Sequence, residues 1–391
     1  MADVHLLEQL KALSALAVES ADLAAIRRSG TRDVNLGAAR ITAAAQAPEH
    51  ADIVEAALHW AQHEVGKGGN RKLAAIRAVE RLGVEFARRA LELVDGRVSL
   101  ELDARIAFQT APTVERARAL VQQLGGAGIS PERALIKIPA TWEGIQAAAK
   151  LEQLGVHCHM TLVFGMHQAA ACADACATVV SPAVGRITDW HAKQAKVEDF
   201  APAEDPGVLT CVRMHHYLRR HGLRTELWPS TFRSAEQVLA LAGCDGLSLP
   251  TALFDELGAR TGQVERKLDP ASTSAQGMDK LAVDAGKFSS MHTADPVSSG
   301  KLTQGVKNLS WAMVTQEKQL VEWITARQDA AAMSSAVALF RVWDYDGDGF
   351  IDREEWGGTD EVFNALDRNH DGRISLEEMA TGLGAPFKPT E

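Results

Sequence analysis

Aromatic residues are scarce, with Phe, Trp and Tyr making up 5% of the 391 residues. A core must therefore come from aliphatic side chains and alanine, and a hydrophobic share of 46% is enough for a large one. There are only five cysteines, an odd number in a chain of this length. That argues against a disulfide framework and for reduced thiols in a cytosol-like compartment. No uncharged apolar run reaches the roughly 18 residues of a membrane span. No large basic block is present and the net charge is −10, which argues against nucleic acid as a main partner. The opening "MADVHLLEQLKALSAL" has no basic n-region and carries Asp3 and Glu8 early, so neither signal nor transit peptide is expected and a cytoplasmic location is. The acidity itself is local: residues 341–380 hold 12 Asp/Glu against 4 Lys/Arg.

From residue 80 to about 250, short β-rich runs alternate with alanine-rich helical stretches. "RVSLEL" (97–102), "ALIKIP" (134–139), "HCHMTLVF" (157–164), "TVVSPAVGRI" (178–187), "RTELWPSTF" (224–232) and "GLSLP" (246–250) read as strands. Such alternation predicts a parallel sheet covered by helices, and its number of repeats favours a closed (β/α)8 TIM barrel of the α/β class. An open doubly wound sheet is the rival, but no strand leads into G-x-G-x-x-G. "GKGGNRK" (66–72) lacks the strand context of a phosphate loop and reads as a surface loop. Residues 251–325 read as mostly helical with a break at "ADPVSSGKL" (294–302), and "ARQDAAAMSS" (326–335) reads as a helical linker.

The acidic tail carries two EF-hand loops, which predicts a small all-α domain over 336–391. In "DYDGDGFIDREE", Asp344, Asp346 and Asp348 take positions 1, 3 and 5, Phe350 offers its carbonyl at 7, Asp352 stands at 9 and Glu355 closes the site at 12. "DRNHDGRISLEE" repeats the pattern with Asp367, Asn369, Asp371, Arg373, Ser375 and Glu378. Ca²⁺ wants six to eight oxygens, and this spacing wraps one loop around them. The loops start 23 residues apart, so one helix must serve both, and a structural or modulatory pair is expected. Five carboxylates in the first loop against three in the second predict tighter binding at the first.

Inside the apolar run "ALIKIPATWEGI" stands Lys137. Lysine is seldom buried without a partner. At pH 7 an unperturbed amine is neutral in only about one molecule in a few thousand, and desolvation favours the neutral, nucleophilic form. Such an amine attacks a ketone to form a Schiff base. A strand-end lysine whose tip reaches solvent is the bland alternative.

"GRVSLELDAR", "LIKIPATWEGIQAA", "CHMTLVFGMHQAAACADACATVVSPAVGRITDW", "DPGV" and "STFRSAEQVLALAGCDGLSL" together resemble the transaldolase family, in order, from about residue 5 to 325. With the tail, the chain looks like the EF-hand fusion found among cyanobacteria. The resemblance implies a class I aldolase-type barrel over 1–325 that needs no cofactor. It implies transfer of a dihydroxyacetone unit from sedoheptulose 7-phosphate to glyceraldehyde 3-phosphate, with sugar phosphates as partners and a homodimer left open. It implies Lys137 as the Schiff-base lysine, Glu101 as the carboxylate acting through water, and Thr161 as the holder of that water. Arg186 and Arg233, with Thr231, match the phosphate site, and Ser181 a substrate-hydroxyl contact. The first-strand aspartate of the family is Glu19 here. Its substrate-binding asparagine falls on Gly37, near Asn35; a second asparagine is His159; the aromatic residue after "SP" is Ala183.

Two alternatives stand beside this reading: a fructose 6-phosphate aldolase-like lyase, and an impaired barrel serving as a calcium-binding interaction protein. The run of His157, Cys158, His159, His167, Cys172 and Cys176 lacks the spacing of a zinc site. "MHHYLRRHG" (214–222) reads as a solvated helix face.

Overall fold

Two sets of internal contacts divide the chain, one holding the residues up to 60 together with 78–316, the other 61–77 with 317 onward. The computed structural model describes residues 5–65, 70–269 and 278–385.

The first unit is built on eight parallel strands: β1 (Ala15–Glu19), β2 (Asp33–Leu36), β3 (Val98–Glu101), β4 (Ala134–Pro139), β5 (Cys158–Val163), β6 (Val179–Pro182), β7 (Glu226–Leu227) and β8 (Gly246–Pro250). Neighbours pair in sequence order, and β8 returns to pair with β1. Between β7 and β8 the closing bond runs from Ser248 N to Pro229 O, at 2.9 Å. Pro229 offers no N–H, so the ladder there stays short. The barrel expectation holds, with helices between the strands.

The rhythm from residue 80 left out β1 and β2, which are short and, in "ALAVE" and "DVNL", poor in bulky β-formers. The predicted strand 178–187 ends at Pro182, because the helix Val184–Ala195 begins at once and carries Arg186. The strand predicted over 224–232 is confined to Glu226–Leu227. The break expected at 294–302 is confined to Asp295, between the helices Ala285–Ala294 and Pro296–Trp343. Asp295 accepts hydrogen bonds from Val297 N and Ser298 N, and a helix starts at Pro296 and runs unbroken to Trp343. Of the glycine-rich run, residues 66–69 lie outside the described residues, while 71 and 72 already belong to the helix Arg71–Leu91.

Scarce aromatics shape the barrel interior. Ala17, Leu135 and Val179 leave a space that one indole, Trp228, fills. Gly246 makes room for it, since a Cβ there would lie 2.4 Å from Trp228 Nε1. That nitrogen donates to Glu226 Oε2 at 2.9 Å, and Glu226 takes Arg97 in a two-pronged grip of 3.1 and 2.7 Å. Arg97 N donates to the fully buried Asp33, whose carboxyl burial pushes up. This ionic plug sits at the N-terminal strand ends, the stability face of such barrels.

In the second unit, the two-residue strands Phe350–Ile351 and Ile374–Ser375 pair antiparallel. Ala336, Phe340, Ile351, Phe363, Ile374, Met379 and Ala380 form its core. A single helix, Asp360–Leu366, lies between the loops, and the first loop leaves through a turn at 353–355.

Candidate active site

Strand register builds the site. Glu101 pairs with Lys137 and Lys137 with His159, one row across β3, β4 and β5, with Thr161 one step further along opposite Pro139. Residues two apart on a strand share a face, so His159 and Thr161 point the same way. Lys137 is 7% exposed and its Nζ lies 3.8 Å from Glu101 Oε1. Glu101 Oε2 accepts a bond from Ala38 N at 3.0 Å, which fixes the carboxylate beside the amine. The bland reading of Lys137, a tip in bulk solvent, does not hold.

The segment after Thr161 is bent by Leu162, whose φ is 58°, and the β5–β6 register shifts there. The buried Gln168 clamps it: Oε1 accepts from Phe164 N and Gly165 N, while Nε2 donates to Ala140 O and Leu162 O. One side chain thus ties the ends of β4 and β5 together. On β1, Glu19 Oε1 accepts from Ser248 Oγ at 3.1 Å, and Ser248 accepts from Asn35 Nδ2 at 3.0 Å. Glu19 Oε2 takes Arg40 Nη2 at 2.5 Å.

Two arginines gather at β6 and β7. Burial lowers the Arg186 pKa and the neighbouring Arg233 cation lowers it further, against the pull of Asp189. Arg186 lies over the Phe164 ring and donates to Lys301 O at 3.1 Å. Arg233 is held by Asp189 at 2.7 and 3.2 Å and by Thr231 O at 3.0 Å. The backbone of Arg233 is fixed by Gln237, itself tied to Asp205 and Thr188. Gly185 permits this approach, for a Cβ there would meet Thr231 O at 2.3 Å. Thr231 adopts φ 60°, and its buried hydroxyl has no partner. Two guanidinium groups, a spare hydroxyl and the N-terminus of a 12-residue helix make a site for a dianion. Ser181 is buried, and its hydroxyl meets Trp228 O at 2.7 Å and Ser230 Oγ at 3.0 Å.

In the tail, the carboxylate oxygens of Asp344, Asp346 and Asp348 lie within 4.8 Å of one another. Glu355 Oε1 accepts from Tyr345 N and Oε2 from Asp352 N, so both oxygens are positioned. Gly349 holds φ 88° for the sharp turn, as Gly372 does at 85°. In the second loop Glu378 is set by Ser375, Arg368 and Asn369; burial works against its charge, but these bonds outweigh it and lower its pKa. Gathered like charges with fixed oxygens fit a hard divalent cation. Among the described residues, no other group of three His, Cys, Asp or Glu side chains converges in this way.

The model described as Transaldolase/Fructose-6-phosphate aldolase matches residues 21–320. The chain belongs to the transaldolase family. A transaldolase of Thermosynechococcus vestitus is 43% identical over 382 residues, 97% of this chain and 98% of its own length. One of Gloeobacter violaceus is 42% identical over 384 residues, 98% of each chain. One of Methylococcus capsulatus is 42% identical over 318 residues, 81% of this chain and 97% of its own. The EF hand model matches 336–357 and 359–383. This is an enzyme of the transaldolase type with an EF-hand region at its C-terminal end.

Beside Lys137 in the strand row stands His159. His159 is fully buried, with Nδ1 at 2.9 Å from Ser99 Oγ and Nε2 unpartnered. Burial, then the Lys137 and Arg97 cations, hold its pKa well below the usual value, so the ring is neutral. The segment 214–222 is not a solvated face: His215 and Tyr217 are buried, since the helix Pro206–Arg220 packs that side inward. Gln168, Gln237 and Arg40 gave no signal in the sequence. Their roles come from neighbours far away in the chain.

Proposed function

We propose that this enzyme moves a dihydroxyacetone unit through an imine on Lys137, from sedoheptulose 7-phosphate to glyceraldehyde 3-phosphate, yielding erythrose 4-phosphate and fructose 6-phosphate. The observation that carries the reading is the buried Lys137 amine beside Glu101, at the C-terminal strand ends where such barrels keep their chemistry. Nζ adds to the keto carbon, and water is lost as the C–N double bond forms. Glu101, through a water held with Thr161, supplies and withdraws the protons. Glu19 takes the proton of the C4 hydroxyl while the C3–C4 bond breaks and its electron pair flows into the iminium. The aldose leaves, and an acceptor aldose reverses these steps. Arg186, Arg233 and Thr231 hold the phosphate, and Ser181 accepts from a substrate hydroxyl. The iminium is the electron sink, so these steps call on no cofactor.

Residues 1–325 form the catalytic domain in this reading, 326–335 a helical linker, and 336–391 a Ca²⁺-binding pair. Asp344, Asp346, Asp348, the Phe350 carbonyl, Asp352 and Glu355 hold one ion. Asp367, Asn369, Asp371, the Arg373 carbonyl, Ser375 and Glu378 hold another. The ion supplies charge that offsets the gathered carboxylates.

Incubation with fructose 6-phosphate and borohydride gives a six- or three-carbon adduct by mass spectrometry, lost in Lys137→Ala. Adduct formation in Lys137→Ala, or none in the unchanged chain, refutes the assignment. Ala183, small and buried where an aromatic is usual, favours a second reading as a dihydroxyacetone-releasing aldolase. Free dihydroxyacetone formed without an acceptor decides for that.

A further inference from the structure

Arg40 folds back beside Gly37. A Cβ at Gly37 would lie 3.7 Å from Arg40 Nη1 and 3.8 Å from Glu101 Oε2. Arg40 begins on the first turn of the helix Ala38–Ala44, its N donating to Gly37 O at 3.0 Å. Its Nη2 is spent on Glu19 at 2.5 Å. Its side chain is 42% exposed, so the guanidinium meets the open mouth rather than the core. The carboxylate of Glu19 thus lies against this cation, on the side of the barrel that holds β1 and β2.

Placement around the barrel says what this cation meets. Eight strands run in order, so β2 stands opposite β6, the strand that leads into Arg186. A substrate whose phosphate is held by Arg186 and Arg233 and whose carbonyl reaches Lys137 on β4 extends its remaining end away from the phosphate. For a ketose that end is the C1 hydroxyl, on the unit retained by the lysine. An Nη1 donor at the edge of an open space suits a hydroxyl oxygen, and its positive charge strengthens the bond. Glu19 already offsets the charge, so a neutral hydroxyl fits better than a second phosphate. Resting on the imine reading above, we propose that Arg40 is a specificity-determining residue, whose guanidinium, beside Gly37, donates to the C1 hydroxyl of the ketose donor.

The test is borohydride trapping of Lys137 at varied concentrations of fructose 6-phosphate and of its 1-deoxy analogue. In Arg40→Leu, the concentration of fructose 6-phosphate for half-maximal trapping rises about 10- to 100-fold, the usual loss for a charge-assisted hydrogen bond. The value for the 1-deoxy analogue stays within about twofold, because that ligand has no hydroxyl to lose. Equal changes for the two ketoses reduce Arg40 to a support for Glu19 and overturn the proposal, as does no change for either. Absence of any adduct in the unchanged chain removes the imine reading and this inference together, so the two failures are distinct. If Arg40→Leu does not fold, Arg40→Lys is measured in the same way. It raises the fructose 6-phosphate value less than tenfold but selectively, and a non-selective change there also overturns the proposal.

Discussion

Thr231 holds φ at 60°, a region where a β-branched residue costs about 1–2 kcal/mol. The strain persists because Gly185 and Arg233 fix the loop, and it leaves a buried hydroxyl without a partner. Thr231→Gly is therefore expected to stabilise the barrel by about 1 kcal/mol while weakening sugar-phosphate binding, read from the urea midpoint and from KM. A lower midpoint with unchanged KM contradicts this. Beside His159, two more buried histidines contribute to the pH response. Burial brings His167 down to about 4, helped by His292 and opposed by Asp295. Burial brings His215 to about 4 as well, with Arg219 and His216 adding and Asp269 opposing. The unfolded chain takes up these protons near pH 6.5, and the native chain near 4. Their stabilisation is complete above about pH 6.5, falls as pH drops toward 4 and levels below. After allowance for solvent screening each contributes up to about 2 kcal/mol. Urea midpoints at pH 7 and pH 5 measure the fall, and His167→Gln is expected to reduce it. An equal fall in that variant contradicts the assignment.

Elements explain why some positions were legible and others were not. The strand containing Lys137 declares itself, for all six of its residues are buried and apolar except one. The strand expected through 187 was over-extended because the turn from Pro182 to Val184 has no glycine and the following helix starts with valine. In the tail, position 4 of the first loop is Gly347 at φ 73°, and the matching residue of the second is His370 at φ 57°. The second loop thus has fewer carboxylates and a backbone strain of about 1 kcal/mol. Calorimetry is expected to show tighter Ca²⁺ binding at the first loop. His370→Gly is expected to narrow the gap by relieving the strain. Equal affinities before substitution, or a wider gap after it, count against this.

At the scale of the whole molecule, the two contact units lead to separate expectations for activity and melting. Chelation of Ca²⁺ is expected to lower the melting temperature of the EF-hand region and to change turnover by less than about twofold, since the proposed imine chemistry uses no ion. Calorimetric scans and a coupled assay with and without chelator check this. A large loss of turnover refutes it. No described helix is long and apolar enough to cross a membrane.

The sequence alone determined the strand–helix alternation, the lysine in an apolar strand, and the two EF-hand loops with the order of their acidic residues. Each is a local pattern, in which chemistry and spacing lie within a dozen or so residues. Tertiary structure decided what stands beside what: Glu101 against Lys137, His159 in register with it, Gln168 joining two strands, and Arg40 against Glu19. These contacts join residues from different strands and loops, and only barrel closure and register bring them within bonding distance.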